Sequence, residues 1–228
     1  MKVKDAQLAI VLVSGGLDSC VAAACAAQDY KLALLHVNYG QRTEERELKA
    51  FNDIADYYEV NYRLVCNLDY LKEIGGSSLV DQKLDIPTGI SESGIPNTYV
   101  PFRNAQFLSI AVAWAEVIGA EKIFVGAVAE DSAGYPDCRG KFYQTFNKLI
   151  AVGTKPDTHI EIIAPLIGMK KSEIVKKAIS INAPLHLTWS CYKNNDKACG
   201  VCDSCLRRLR AFKEAGIEDP IEYEKYSG

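Results

Sequence analysis

Hydrophobic runs divide the chain into short apolar segments and longer amphipathic ones. The first, Leu8-Ala9-Ile10-Val11-Leu12-Val13, has no polar alternation and predicts a strand buried on both faces. The small-residue stretch Val21-Ala22-Ala23-Ala24-Cys25-Ala26-Ala27 predicts a closely packed helix. Lys31-Leu32-Ala33-Leu34-Leu35-His36-Val37 predicts a second strand. Residues 43–58 carry many charges, while Leu48, Phe51, Ile54 and Ala55 recur at helical spacing, so that stripe should face a sheet. Residues 62–66 read as a third strand, 122–127 as a fourth and 159–164 as a short fifth. Residues 105–118 are apolar nearly all round and predict a buried helix. Further helices are expected over 141–152, from near Met169, and over 203–215. Strands alternating with helices predict an α/β fold, a doubly wound, mostly parallel sheet of Rossmann-like type.

Residues 67–98 break this rhythm. Gly75-Gly76-Ser77-Ser78, Pro87-Thr88-Gly89 and Ser91-Glu92-Ser93-Gly94 give no sustained period, which fits a functional lid, a mobile loop or plain disorder. The chain is read as an α/β domain over 1–186 and a cysteine-bearing helical segment over 187–228 packed on it. With 228 residues, 48% hydrophobic and 24% charged, it can bury a sizeable core. The net charge of −3 argues against broad nucleic-acid binding. No run reaches transmembrane length, and Met1-Lys2-Val3-Lys4-Asp5 lacks a signal-peptide core, so a cytoplasmic protein is expected, with no membrane partner. In that compartment the eight cysteines are not expected to form disulfides.

Between the first strand and helix lies Ser14-Gly15-Gly16-Leu17-Asp18-Ser19. Strand, glycine turn and helix start is a geometry that holds phosphate: glycines admit the ligand, and unpaired amides and the helix dipole face it. Ser14 and Ser19 add hydroxyls. Leu17-Asp18 stand where a Walker loop needs Lys-Ser/Thr, and a dinucleotide fingerprint needs three spaced glycines. The competing reading is an ordinary tight turn with Ser and Asp caps. The hexapeptide resembles the SGGxDS pyrophosphate loop of N-type ATP pyrophosphatases, which cleave ATP between its α and β phosphates and adenylate a substrate.

Other candidates lie at predicted element ends. Arg42 either reaches a phosphate or faces solvent. His36 reads as a hydrogen-bonded core residue. Arg103, at the mouth of an apolar helix, opposes the dipole unless an anion is near, which makes it a candidate for triphosphate or a substrate carboxylate, with solvation at the rim as the alternative. Lys170 and Lys171 also start a helix, and Lys171 is favoured as an ATP ligand. Gly134-Tyr135-Pro136-Asp137-Cys138-Arg139 is a rigid turn carrying a ring, a carboxylate and a guanidinium.

Cys191, Cys199, Cys202 and Cys205 have the spacing C-x7-C-x2-C-x2-C. Four thiolates suit a closed, tetrahedral, structural Zn²⁺, and closing such a site supplies on the order of 10 kcal/mol of folding free energy. An iron–sulfur cluster is the rival, though its usual run ends in Cys-Pro and no proline follows here. Lys197, Arg207 and Arg208 are expected to offset the cluster's charge. Cys20, Cys25 and Cys66 read as core packing, and Cys138 stays open.

Several of these segments, in order, resemble the 7-cyano-7-deazaguanine synthase (QueC) family. They are residues 14–19, Tyr39-Gly40-Gln41-Arg42, Tyr99-Val100-Pro101-Phe102-Arg103-Asn104, Gly134-Tyr135-Pro136-Asp137-Cys138-Arg139 and Leu187-Thr188-Trp189-Ser190-Cys191-Tyr192. Cys199-Gly200-Val201-Cys202-Asp203-Ser204-Cys205 and Ala211-Phe212-Lys213-Glu214-Ala215-Gly216 complete the series. The 67–98 stretch matches weakly, and Val37-Asn38 replaces the more usual Phe-Asp. The resemblance implies an adenine nucleotide α hydrolase-like fold and conversion of 7-carboxy-7-deazaguanine and ammonia to 7-cyano-7-deazaguanine. It also implies two ATP, Mg²⁺, a structural Zn²⁺ and a homodimer. It further implies these roles: Ser14, Gly15, Gly16, Leu17, Asp18 and Ser19 cradle phosphate, and Asp18 holds Mg²⁺ or caps the helix. Lys171 and Arg103 balance the departing pyrophosphate. Asp137 reads the deazaguanine edge, Tyr135 or Phe102 stacks on the ring, and Arg139 joins the substrate contacts. A tRNA-modifying pyrophosphate-loop enzyme, of thiolase or lysidine-synthetase type, is the alternative.

Overall fold

The computed structural model describes residues 7–90, 94–128 and 134–224. Residues 1–5, read above for targeting, and 91–93 of the irregular stretch lie outside the described residues. Five strands form one parallel sheet in the order β3-β2-β1-β4-β5. They are β1 (Leu8–Leu12), β2 (Lys31–Asn38), β3 (Tyr62–Asn67), β4 (Lys122–Phe124) and β5 (Glu161–Ile163). The helices among the described residues include α1 (Leu17–Ala26), α2 (Glu44–Tyr57), α3 (Tyr70–Ile74), α4 (Arg103–Ile118), α5 (Gly140–Gly153), α6 (Lys171–Ser180) and α7 (Asp203–Ala215). This is the doubly wound α/β fold expected from the sequence.

Strand alternation divides the core. Ile10, Ala33, Leu35 and Ile123 face α4 and α5, meeting Leu108, Ala111, Phe146 and Ile150. Ala9, Val11, Leu34 and Phe124 point the other way, onto α1 and α2, where Phe51, Ile54 and Ala55 form the predicted stripe. The alanines of α1 bring that helix close to the sheet. Its other side, Leu17, Val21 and Ala24, packs on α6 and on Ala211 and Phe212 of α7. The C-terminal segment is thereby joined to the core through α1, the helix that follows the glycine loop.

Two expectations change. The helix over 105–118 is not buried all round. Ala105, Leu108, Ala111 and Ala115 are buried, but Val117 is 82% exposed, because α4 lies on the outer layer and only one side meets the sheet. Of the alternatives for 67–98, plain disorder does not hold for the described parts. They include α3, and Ser77, Ser78, Leu79 and Val80 are buried. Arg42 holds this segment down. Its Nε donates to Ser78 O at 2.9 Å, and its Nη2 donates to Asp81 O at 3.0 Å and to Leu84 O. Arg42 therefore reaches neither of the places weighed for it; it staples a loop whose backbone carbonyls need donors. His36 behaves as expected, 1% exposed, with Val13 O at 2.9 Å and Asn38 Oδ1 at 3.0 Å from its two ring nitrogens.

Candidate active site

The chain turns from β1 to β2 and β3 on one side, then returns to β4 and β5 on the other. The carboxyl ends of β1 and β4 thus flank the switch point where open α/β sheets bind ligands. A cavity of about 290 Å³ lies there, walled by Leu12 and Val13, Val125 and Gly126, and the glycine loop.

That loop is not an ordinary capped turn. Gly16 is the N-cap of α1, with extended backbone, and no side chain caps the helix. Ser14 and Ser19 instead face each other, Oγ to Oγ at 3.3 Å, and Ser19 donates to Gly16 O at 2.9 Å. Gly15 has φ +89, and a Cβ there would lie 2.6 Å from the Glu47 carbonyl oxygen, so both conformation and space demand glycine. The loop is anchored from behind by the Trp189 N–H, which donates to Gly15 O at 2.8 Å. Ser14, Gly16, Leu17, Asp18 and Ser19 all line the cavity.

Lys171, the first residue of α6, reaches across to Asp18, Nζ to Oδ2 at 2.8 Å. The two predicted ligands are thus partners of one another. Asp18 Oδ1 is buried with no hydrogen-bond partner. An anionic oxygen without a donor, beside amides arranged for phosphate, is the donor set a hard divalent cation takes. The neighbouring Lys170 N–H is capped by Glu173 Oε2 at 2.8 Å, which offsets the cations in that turn.

The far end of the cavity is aromatic and polar. Arg103 Nη1 donates to the Tyr39 hydroxyl at 2.7 Å, and its guanidinium lies 4.8 Å from the Tyr39 ring centre. The Tyr135 hydroxyl meets Thr98 Oγ1 at 2.7 Å. Both Arg103 and Tyr135 line the cavity, with Asn104, Cys138, Phe107 and Glu47. Burial pushes the Glu47 carboxyl up to about 7, with Thr43, Arg103 and Gln41 pulling against the shift.

Asp137 lies behind this wall, buried, with Oδ2 accepting the Asn104 backbone N–H at 3.0 Å at the start of α4. Asn104 Nδ2 in turn donates to Asp137 O and Cys138 Sγ, both at 3.2 Å. Phe102 is 62% exposed, in a left-handed conformation (φ 56) that turns the chain into α4, and it packs on Phe142. Phe102, Asp137 and Arg139 are not among the lining residues. The structure therefore brings together the loop, Lys171, Arg103 and Tyr135 around this cavity. Reading the sequence missed Glu47, Tyr39, Trp189, Ser190 and Tyr192, all of which line the cavity. The Tyr39-Gly40-Gln41-Arg42 motif was the available signal, but Glu47 looked like one more charge on a solvated helix.

The four tail cysteines are buried, and their Sγ atoms all lie within 4.8 Å of one another. A tetrahedral ion with thiolates at ~2.3 Å needs S···S edges of about 3.8 Å; Cys199 and Cys205 stand at 4.0 Å. Cys191 Sγ also accepts the N–H groups of Lys193, Asn194 and Cys199 at 3.3–3.4 Å. The set could hold a metal ion, and it is tied to the cavity. Thr88 pairs with Cys202, Gly89 N–H donates to Val201 O at 3.1 Å, and Trp189 connects the cluster to Gly15. Arg208 does not serve the cluster as expected. It is 3% exposed and clasps Asp219 at 2.7 and 2.9 Å, with Thr188 Oγ1 at 2.7 Å. Among the described residues no helix is long and apolar enough to cross a membrane.

The family model "Queuosine biosynthesis protein QueC" matches residues 8–216. A protein named 7-cyano-7-deazaguanine synthase from Chlorobium chlorochromatii (strain CaD3) is 60% identical over 218 residues, 95% of this chain and 96% of the relative. One of the same name from Chlorobium phaeobacteroides (strain DSM 266 / SMG 266 / 2430) is 61% identical over 220 residues, 95% and 97%. Among solved structures, NMN synthetase from Francisella tularensis superposes with TM-score 0.50 at 13% identity, covering 94% of this chain and 79% of that one. A "predicted subunit of tRNA methyltransferase" from Methanocaldococcus jannaschii gives 0.51 at 17%, covering 97% and 94%. At such identity these two speak to the fold alone.

Proposed function

The chain belongs to the QueC family of queuosine-biosynthesis proteins, and from that we propose that it converts 7-carboxy-7-deazaguanine and ammonia to 7-cyano-7-deazaguanine, using two ATP. A carboxylate resists ammonia because its leaving group would be oxide. Attack of the carboxylate on the α-phosphorus of ATP gives an acyl-adenylate and pyrophosphate. Ammonia displaces AMP to form an amide. A second ATP adenylates the amide oxygen, and loss of AMP leaves the nitrile. No protein nucleophile is required; the site positions reactants and stabilises charge.

The observation that carries this reading is the uncapped amide loop with Asp18 and Lys171 at one end of a cavity whose other end holds Arg103 and Tyr135. The loop amides and the Ser14 and Ser19 hydroxyls take the departing pyrophosphate, and Lys171 balances its charge. Mg²⁺ fits the orphan Oδ1 of Asp18 and supplies neutralisation of phosphate charge. Tyr135 stacks on the deazaguanine, and Arg103 faces its carboxylate. Asp137 serves this end by fixing the start of α4 rather than by reading the base directly. Zn²⁺ fits the four thiolates and holds the Trp189 to Tyr192 wall in place. The chain acts in the cytoplasm on small molecules, as a homodimer, for which the exposed Val117, Leu149 and Val152 on α4 and α5 are suited. Mass spectrometry after incubation with ATP, ammonium and the acid should show the nitrile; the acid recovered unchanged would refute the reading.

A further inference from the structure

Among the described residues two carboxylates line the cavity, and they differ. Asp18 is tied to an ammonium group at 2.8 Å. Glu47 receives its hydrogen bonds from neutral groups: the Thr43 hydroxyl on Oε1 at 2.7 Å and the Gln41 amide on Oε2 at 3.3 Å. One lone pair on each oxygen is thereby used. Glu47 is half-buried, on the same wall as Ser14, Arg103 and Tyr39. It therefore borders the one cavity that also holds the phosphate loop and Arg103, whose charge it feels, and in the assigned reaction the activated carboxyl group lies within that cavity.

The groups around it set its proton affinity. Thr43 is the N-cap of its helix and Glu44 the first residue, Tyr39 and Gln41 come from the turn after β2, and Arg103 from α4, while Gly15 packs on the backbone of Glu47. Burial raises the carboxyl to about 7, Glu44 adds repulsion, and Thr43, Arg103 and Gln41 lower it. Tyr39, by contrast, is pushed up to about 12 and keeps its proton. An acid that changes hands near neutrality is suited to proton transfer.

The reaction assigned above needs such a group. Ammonium has no lone pair and cannot attack until it loses a proton. We propose that Glu47 accepts that proton and so generates the ammonia nucleophile beside the acyl-adenylate; this rests on the reaction proposed above. One N–H bond of ammonium breaks as the Glu47 O–H bond forms. The freed nitrogen lone pair makes the C–N bond, and the C–O bond to AMP breaks with its electron pair on the phosphate. A second nitrogen proton passes to that phosphate, leaving the neutral amide. Glu47 then returns its proton to solvent. No oxidant or further reactant is involved.

Two half-reactions separate this role from others. Acid-dependent exchange of labelled pyrophosphate into ATP reports adenylation without ammonia; AMP release on adding ammonium reports the nitrogen step. Glu47→Gln should keep exchange near the wild-type rate and slow the ammonium step by ~10²–10⁴-fold. Hydroxylamine, unprotonated at neutral pH, should react equally well with variant and wild type. The wild-type ammonium step should level off above about pH 7, while the residual Glu47→Gln rate keeps rising about tenfold per pH unit with free ammonia. Glu47→Asp, retaining a carboxylate, should keep the levelling at a reduced rate, and it carries the test if Glu47→Gln does not fold. Equal loss of exchange and nitrogen steps, or an unimpaired ammonium step, would overturn the proposal alone. Absence of acid-dependent exchange in the wild type would overturn the assigned reaction, and the proposal with it.

Discussion

Gly126, just past β4, is a position where the sheet and the start of α1 press closely on one another. A Cβ built there lies 2.7 Å from Asp18 C and Ser19 N and 2.8 Å from Asp18 O. Ordinary contact begins near 3.4 Å, so Gly126→Ala requires β4 and the first turn of α1 to part by about 0.7 Å. Every clashing atom is main chain, and no rotamer change relieves it. Overpacking of this kind costs about 1–3 kcal/mol, which at this chain length is a fall in Tm of roughly 2–12 °C. The functional loss should exceed what stability alone implies. A displacement approaching 1 Å at a positioning element lowers rates by one to two orders of magnitude, so acid-dependent pyrophosphate exchange should drop ~10–100-fold at temperatures where the variant is fully folded. Gly153→Ala is the control: the last residue of α5 has nothing within 4 Å of its added Cβ, and the change should leave exchange intact and stability equal or up to about 1 kcal/mol higher. A Gly126→Ala protein that melts with wild type and exchanges pyrophosphate at the wild-type rate would refute the claim that strand β4 fixes the loop.

Lys171→Met should destabilise by about 1–3 kcal/mol in urea, less than a fully buried pair because the partners keep 16% and 19% exposure. It should also slow pyrophosphate exchange ~10²–10³-fold, whereas pairing it with Asp18→Asn should recover stability but not exchange. Asp219→Ala leaves Arg208 buried without its carboxylate and should cost about 3–5 kcal/mol in the same urea titration. With zinc proposed in the four-cysteine set, chelator treatment should lower Tm by about 10 °C or more. Hydrogen exchange should then quicken at residues 86–89 and 188–192 before it does in α5, because those segments are bonded to the cluster and to Gly15.

The strands and most helices were legible because each carries one dominant pattern. Unbroken apolar runs mark β1 and β2, and a 3.6-residue stripe marks α2. The phosphate loop and the cysteine set were legible because their chemistry is local, six and fifteen residues wide. What could not be read depends on long-range placement. Arg42 looked like a free cation because nothing in the sequence shows that the carbonyls of Ser78 and Asp81 come to it. The bond from the Asn104 N–H to Asp137 could not be read either, because it depends on the left-handed turn at Phe102. Glu47 was hidden for a related reason: α2 has charges all along one side, and only the packing of Gly15 against its backbone shows which of them faces the cavity. The tail was legible as packed on the domain, but not the fact that Trp189 both bonds the loop and lines the site.

If the loop grips pyrophosphate while an oxygen of the acid takes up the adenylyl group, the acid's own oxygens must end on AMP. The direct test uses 7-carboxy-7-deazaguanine bearing a heavy oxygen isotope in its carboxylate, with ATP and ammonium, followed by mass spectrometry of the nucleotide products. The account predicts two AMP for each nitrile formed, each carrying one heavy oxygen. Label appearing in orthophosphate alongside ADP, or AMP free of label, would contradict it.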